Sequence, residues 1–295
     1  MKNIEQKYDF EKAEKKRKFK NTINKTIRYT VLILVGLIML YPLLWMIGSS
    51  FKENSEIFTS IGIIPKKLDF SGYVKGWETS TEYTFARYFS NSLMIAIPKV
   101  ILTVISATLS AYAFARFDFP GKKIFFALLI ATLMLPNLVL RIPQYLMFKQ
   151  FNWLDTFKPL VVPAAFATEG FFVFMIVQYI KGLPTDLEQA AKIDGCNSLQ
   201  TLIYVLVPII KPSMISAGLF QFMWTMNDFL GPLIYISSVG KYPISIALKM
   251  SMDATTSVQW SSVLAMSVIA LIPSLLVFFL GQKYFVDGVS STGMK

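Results

Sequence analysis

The chain has 295 residues, of which 54% are hydrophobic and only 16% charged, and its formal net charge is +11. This composition excludes an ordinary water-soluble domain and favours a protein that spans the lipid bilayer. With no histidine and a single cysteine, Cys196, the chain cannot assemble the usual zinc, haem or histidine-based catalytic sites. The phosphate-loop motif G-x-x-x-x-G-K-[ST] is also missing, so we expect no cofactor in this chain and assign any ATP hydrolysis to a partner.

The N-terminal segment, residues 1–27, is strongly basic. Ten Lys or Arg residues and four acidic residues lie within the first 29 positions. A basic segment could bind nucleic acid, but no recognition motif accompanies this one. An apolar run follows directly, and basic residues beside such a run are typically retained in the cytosol by the positive-inside rule. We therefore expect a cytosolic N-terminus and no nucleic-acid partner.

Six apolar segments are each long enough to cross a bilayer, which requires about 20 helical residues. A cleaved signal peptide is the alternative for the first segment, but Pro42, Leu43 and Leu44 stand where small residues would precede a cleavage site. We expect an all-α polytopic membrane protein. It would have a membrane domain over 28–282, a cytosolic tail at 283–295, and spans at 28–47, 92–114, 124–148, 158–180, 201–224 and 262–281.

The loops between the spans predict their orientation. Residues 51–91 carry as many acidic as basic side chains, whereas Arg116, Lys122 and Lys123 surround the short turn after the second span. Basic loops stay in the cytosol more often than neutral ones. With six spans, this pattern places both termini in the cytosol of a multi-pass plasma-membrane protein.

The polar stretch between the fourth and fifth spans predicts two short helices. Thr185 and Glu188 match the T-x-x-E capping box that opens a helix, and Asn197 and Gln200 repeat that signature. Gly195, between the two boxes, can adopt the positive φ that ends a helix. An ordinary cytosolic loop with one helical turn is the alternative.

This stretch resembles the coupling loop, or EAA loop, of permease subunits of ATP-binding-cassette (ABC) importers. The family pattern is E-A-A, three residues, G, nine residues and I-x-L-P, and the matching positions run from Gln189 to Pro208. Gln189 replaces the acidic residue of the motif, and the nearest carboxylate is Glu188. The resemblance implies that the coupling loop, 181–200, and the start of the fifth span contact the ATPase through Glu188, Gln189, Ala190, Ala191, Asp194, Gly195 and Pro208.

Further matches run along the chain from Tyr41 onward. They include AYAFAR at 111–116, FPG at 119–121 and WTMNDFLGP at 224–232. Together they resemble the sugar-importer permeases of the maltose-transporter type, specifically the shorter of the two paired subunits. The resemblance implies the type I ABC importer transmembrane fold, with a cytosolic coupling helix between the fourth and fifth spans. The outer loop 249–260, which in that family reaches into the binding protein, departs from the family sequence.

The resemblance also implies the partners. Such a permease pairs with a second homologous permease as a heterodimer, stands over two cytosolic ATPase subunits that hold ATP and Mg²⁺, and receives its solute from an extracellular binding protein. The ATPases would drive alternating access between inward and outward openings. The implied function is ATP-driven import of an oligosaccharide by a subunit that is not itself an enzyme. The alternatives are another solute such as a sugar phosphate, an ATP-independent secondary transporter, and a non-transporting membrane scaffold.

Ionisable residues inside membrane spans are costly and usually face a pore or a partner. Arg141 and Glu169 lie within the third and fourth spans, and Trp224, Asn227 and Asp228 lie at the end of the fifth. Alternatively, Arg141 reaches the outer interface and Glu169 pairs with it or with the partner subunit. A guanidinium that faces the pore could bind a carboxylate through two parallel hydrogen bonds, so Arg141 suggests an acidic oligosaccharide as cargo.

Overall fold

The computed structural model describes residues 2–78, 82–252 and 258–290, and the regular structure of those residues is entirely helical. Two 3-10 turns, Val162–Phe166 and Val239–Lys241, and one π-helical segment, Thr201–Leu206, interrupt the α-helices. The α-helices are α1 (Lys2–Ser49), α2 (Asn54–Ile57), α3 (Ser71–Trp77), α4 (Phe85–Arg116), α5 (Lys122–Met134), α6 (Asn137–Gln150), α7 (Lys158–Val161), α8 (Gly170–Lys181), α9 (Asp186–Ile193), α10 (Ser198–Gln200), α11 (Val207–Asn227), α12 (Leu230–Tyr235), α13 (Ile244–Met250) and α14 (Trp260–Ser290).

Five helical stretches among the described residues are long and apolar enough to cross a membrane: Phe19–Ser49, Phe85–Arg116, Lys158–Lys181, Ser198–Asn227 and Trp260–Tyr284. A sixth is present if α5 and α6 together form one bent span. Every predicted span overlaps one of these six stretches. Several of the helices extend beyond the apolar segments because their polar end turns continue the same backbone hydrogen bonding. Part of the outer loop 249–260 and of the tail lies outside the described residues.

The third predicted span is two helices rather than one. α5 and α6 meet at an angle of 108°, and Leu135 and Pro136 between them have extended backbone, with ψ of 129° and 125°. Proline lacks the N–H that a helix interior needs, and its ring pushes the preceding residue out of the helical region. Pro136 therefore ends α5, and α6 continues in a different direction.

The fourth predicted span is also interrupted. The 3-10 turn that contains Pro163 follows α7, and Ala167 then adopts a positive φ of 54° before α8 begins. Backbone outside a helix must find partners when it lies at membrane depth. Ser106 of α4 supplies one, because its hydroxyl donates to the carbonyl of Ala164 at 2.6 Å.

The core of the bundle forms around α4. This helix packs against both α8 and α11, and α11 packs in turn against α14. Ala107 and Ala111 of α4 are fully buried beside Phe172 and Ile176 of α8. Their small side chains let the two helices approach closely, as is common between membrane helices. By contrast, the most apolar window of α1 buries none of its residues.

Asp155 ties the loop after α6 to the segment after α12. Its carboxylate accepts hydrogen bonds from the backbone N–H groups of Ser237 and Ser238 at 3.1 and 2.8 Å, and from Lys241 Nζ at 2.8 Å. Partial burial opposes ionisation, but the hydrogen bonds from Lys241 and Ser238 hold the pKa of Asp155 well below its usual range. The carboxylate therefore remains ionised at neutral pH, and we call this contact the Asp155 latch.

Candidate functional site

The coupling loop is fastened to the end of α4 by a buried ion pair. Arg116, the last residue of α4, donates from Nε to Glu188 Oε1 and from Nη2 to the carbonyl of Leu183 at 3.0 Å. The side chains of Arg116 and Glu188 are only 11% and 9% exposed. Removing one partner of such a pair leaves the other charge buried and uncompensated. This contact, the Arg116–Glu188 clamp, fixes α9 against the bundle.

The capping box predicted at Thr185 and Glu188 is therefore wrong. The Thr185 side chain makes no capping hydrogen bond, and its backbone is already helical, with φ of −76° and ψ of −13°. The Glu188 carboxylate binds Arg116, which lies 72 residues earlier in the chain. Glu188 was expected to contact the ATPase, but it is buried within its own chain rather than offered to a partner.

The end of α9 follows the sequence prediction. Gly195 has a φ of 87°, the Cys196 N–H donates to the Ala191 carbonyl at 2.9 Å, and the Gly195 N–H donates to the Lys192 carbonyl at 3.1 Å. These two bonds form a Schellman motif, which satisfies the last carbonyls of a helix.

The second predicted capping box is confirmed. Asn197 Oδ1 accepts from the Gln200 N–H at 2.9 Å, and Gln200 Oε1 accepts from the Asn197 N–H at 2.8 Å. The next helix of the coupling loop, α10, therefore begins where the sequence indicates.

One face of α9 is open to solvent. Ala191 lies inward with Glu188, whereas Gln189, Ala190 and Ile193 are exposed. Also exposed are Asp194, Gly195, Leu199, Tyr204 and Pro208. Exposed apolar side chains on an otherwise polar loop are typical of a protein-binding surface. Of the residues that the motif indicates, Glu188 and Ala191 are therefore buried, and the other five are exposed.

A cavity of about 700 Å³ lies between α4, α6, α8 and α11. Lys99 of α4 is on its wall, 17 positions before Arg116, so the cavity is about 25 Å along α4 from the clamp. The polar and aromatic residues on its wall are Lys99, Thr132, Arg141, Gln144, Phe148, Thr168, Glu169, Phe171, Trp224, Asp228 and Tyr235. The cavity is thus lined by residues from the broken third span and the interrupted fourth span, together with residues of α4, α11 and α12.

The carboxylate of Glu169 is paired with a lysine that sequence reasoning missed. Lys99 Nζ lies 3.4 Å from Glu169 Oε1. The interpretation of Glu169 as the evident partner of Arg141 is therefore wrong. A lysine in the middle of an otherwise apolar span, beside Pro98, was the signal that could have revealed this pair.

Arg141 has no acidic partner among the described residues. Its guanidinium lies over the ring of Tyr235, with Cζ 5.9 Å from the ring centroid. Asp228, the other carboxylate on the wall, accepts a hydrogen bond from the Gly231 N–H at 3.0 Å. Arg141 therefore lines the cavity as a cation with no carboxylate paired to it among the described residues.

Trp224 lies on the cavity wall but Asn227 does not. Trp224 is about half exposed, and its ring lies 5.4 Å from that of Phe171, which also faces the cavity. Asn227 is exposed elsewhere and donates from Nδ2 to the Met223 carbonyl at 2.8 Å. Of the two, only Trp224 keeps its place as a candidate for contact with the solute.

Comparison with known proteins identifies the class of the molecule. Residues 99–291 match the family of binding-protein-dependent transport system inner membrane components. The chain belongs to this family. The permease is similar to the probable ABC transporter permease YurM of Bacillus subtilis strain 168, with 30% identity over 92% of this chain and 89% of that protein. It is also similar to the trehalose/maltose transport system permease MalG of Thermococcus litoralis, with 28% identity over 89% of this chain and 94% of that protein.

The fold of the permease matches a solved transporter. A chain in the crystal structure of a bacterial ABC transporter involved in the import of the acidic polysaccharide alginate covers 89% of this chain, with a TM-score of 0.78 and 22% identity. This permease covers 96% of that chain. The type I importer fold expected from the sequence is confirmed, and the permease is a multi-pass membrane subunit whose relatives are permease subunits of ABC transporters. Family membership decides against the scaffold and the ATP-independent transporter.

Proposed function

We propose that this permease imports an oligosaccharide that an extracellular binding protein delivers. The pathway forms between this subunit and a second homologous permease, and two cytosolic ATPase subunits that bind ATP and Mg²⁺ drive it. Support for a sugar cargo comes from MalG, named for trehalose and maltose, and from the alginate importer. In this arrangement both termini and α9 lie in the cytosol.

The cavity is the observation that carries this proposal. Its volume of about 700 Å³ is within the range of small-molecule sites, which is about 300–1,000 Å³. Trp224 and Phe171 supply flat apolar surface for the faces of sugar rings. Glu169 and Asp228 supply carboxylate oxygens that accept hydrogen bonds from sugar hydroxyls.

The clamp connects this cavity to the ATPase. The open face of α9 contacts a cleft on the ATPase through Ala190, whose small side chain allows close approach. Gln189 makes a hydrogen bond to the ATPase at the position where the motif has an acidic residue. When the ATPases close, they move α9, and the Arg116–Glu188 clamp passes the movement to α4. Because Lys99 belongs to α4, the same movement reshapes the cavity.

Reconstitution tests the proposal. The permease, its partner permease and the ATPase subunits are placed in liposomes, and uptake of radiolabelled oligosaccharides is measured with and without ATP and binding protein. We expect uptake that requires both. Uptake that persists without the ATPase subunits, or ATP-driven uptake of sugar phosphates but of no oligosaccharide, would overturn the proposal.

A further inference from the structure

We infer that Arg141 forms a binding site for a sugar carboxylate, so that the cargo is an oligosaccharide containing uronic acid. This inference rests on the proposed function, because it names the substrate class of the same cavity. Its basis is the distribution of charge on the cavity wall, where four ionisable side chains meet.

Three of those four groups already have partners within the chain. Lys99 and Glu169 pair at 3.4 Å, and Asp228 accepts the Gly231 N–H at 3.0 Å. For Arg141, the part of the chain that the structure describes supplies an aromatic ring and no carboxylate. A cation held at membrane depth without a counter-charge is costly, and a bound anion offsets that cost.

The ring beneath the guanidinium is held in place before any ligand arrives. Tyr235, the ring beneath it, is only 3% exposed, donates from its hydroxyl to Gln144 Oε1 at 3.2 Å, and packs edge-on against Phe148 at 5.3 Å. Arg141 belongs to α6. The Asp155 latch joins the loop that follows α6 to the segment that follows Tyr235. A ring fixed in this way does not have to be ordered when a ligand binds.

The chemistry favours a carboxylate over a phosphate monoester. A planar guanidinium binds a carboxylate through two parallel hydrogen bonds, and a neutral hydroxyl cannot complete that pair. A phosphate monoester would carry up to two negative charges into a cavity that also holds Glu169 and Asp228. A singly charged uronate meets less repulsion from these carboxylates, while its hydroxyls can donate to them.

Binding measurements on the assembled transporter in lipid nanodiscs test the site. The probes are a galactotriose in which one residue is oxidised to galacturonate, unmodified galactotriose, and glucose 6-phosphate. We expect the native complex to bind the monouronate trisaccharide at least about tenfold more tightly than galactotriose. Arg141→Gln removes most of that preference and leaves galactotriose binding unchanged. Arg141→Lys keeps the charge without the planar pair of donors and retains part of the preference.

Lys149→Gln is the matched control, since Lys149 is an exposed cation on the same helix and is not on the cavity wall. It should leave all three affinities unchanged. Equal binding of the acidic and neutral trisaccharides, an undiminished preference in Arg141→Gln, or tighter binding of glucose 6-phosphate would each overturn the carboxylate site. Import of neutral oligosaccharides alone would overturn this site and leave the proposed function standing, whereas ATP-driven import of no oligosaccharide would overturn the proposed function itself.

Discussion

Gly195 holds a backbone conformation that most residues adopt only at a cost. Its φ is 87°, and a Cβ added there would meet nothing within 4 Å, so any penalty arises from backbone strain rather than from crowding. We expect Gly195→Val to destabilise the end of α9 by about 1 kcal/mol or more. Thermal unfolding of the purified permease measures the loss. Gly195→Asn is the control, because asparagine tolerates positive φ; an equal loss in both variants would contradict strain as the cause.

The Arg116–Glu188 clamp predicts non-additive substitutions. Arg116→Gln leaves Glu188 buried without its counter-charge, and Glu188→Gln does the same to Arg116, so each costs about 3–5 kcal/mol. The double variant removes both charges and should recover part of the loss. A double-mutant cycle on unfolding midpoints, with uptake as a second measurement, checks this expectation. If the two single losses of stability simply add in the double variant, the two side chains do not stabilise each other.

At the residue scale, the sequence predicts what is local. The Asn197–Gln200 box and the positive φ of Gly195 involve neighbours within a few positions, and both were predictable. The contacts of Glu188 with Arg116 and of Lys99 with Glu169 join residues that only the packing of α4 brings together. A capping motif and a tertiary ion pair compete for the same carboxylate, and the motif alone cannot decide between them.

At the scale of elements, α9 has two alanines with opposite environments. Ala190 is exposed and Ala191 is buried. We expect Ala190→Arg to leave folding intact but to abolish ATPase docking or to uncouple ATP hydrolysis from uptake. Gln189→Glu should be tolerated. Pull-down of the ATPase, ATP hydrolysis and uptake in the reconstituted complex are the measurements.

Ala191→Arg is the comparison, because a charged side chain there would lower the yield of folded permease before any partner is involved. Normal assembly and normal uptake with Ala190→Arg would mean that α9 is a passive loop.

The breaks in the third and fourth spans were only partly predictable. Pro136 and Pro163 indicate that a helix cannot continue unchanged, because each removes a donor and restricts the residue before it. The 108° angle between α5 and α6 depends on how both pack, which proline itself does not specify. The cavity forms between these breaks, so its lining could not be derived from the apolar segments alone.

For the whole molecule, the topology gives a paired test. Ile64 and Ile193 are 84% and 87% exposed and lie in segments expected on opposite sides of the membrane. In a Cys196→Ser background, Ile64→Cys should react with an impermeant thiol reagent added outside intact cells. Ile193→Cys should react only after the membrane is opened. The reverse pattern, or labelling of both from outside, would contradict a cytosolic α9 and cytosolic termini.

The central position of α4 also sets the order of events during synthesis. Its packing partners α8 and α11 lie later in the chain, so α4 leaves the ribosome before either helix exists. Lys99 therefore enters the membrane, or waits at the translocon, before Glu169 has been translated. We expect a nascent chain arrested before α8 to insert α4 inefficiently and Lys99→Met to correct the defect, as measured by glycosylation mapping. If insertion stays inefficient in Lys99→Met, the unpaired lysine is not the cause of the defect.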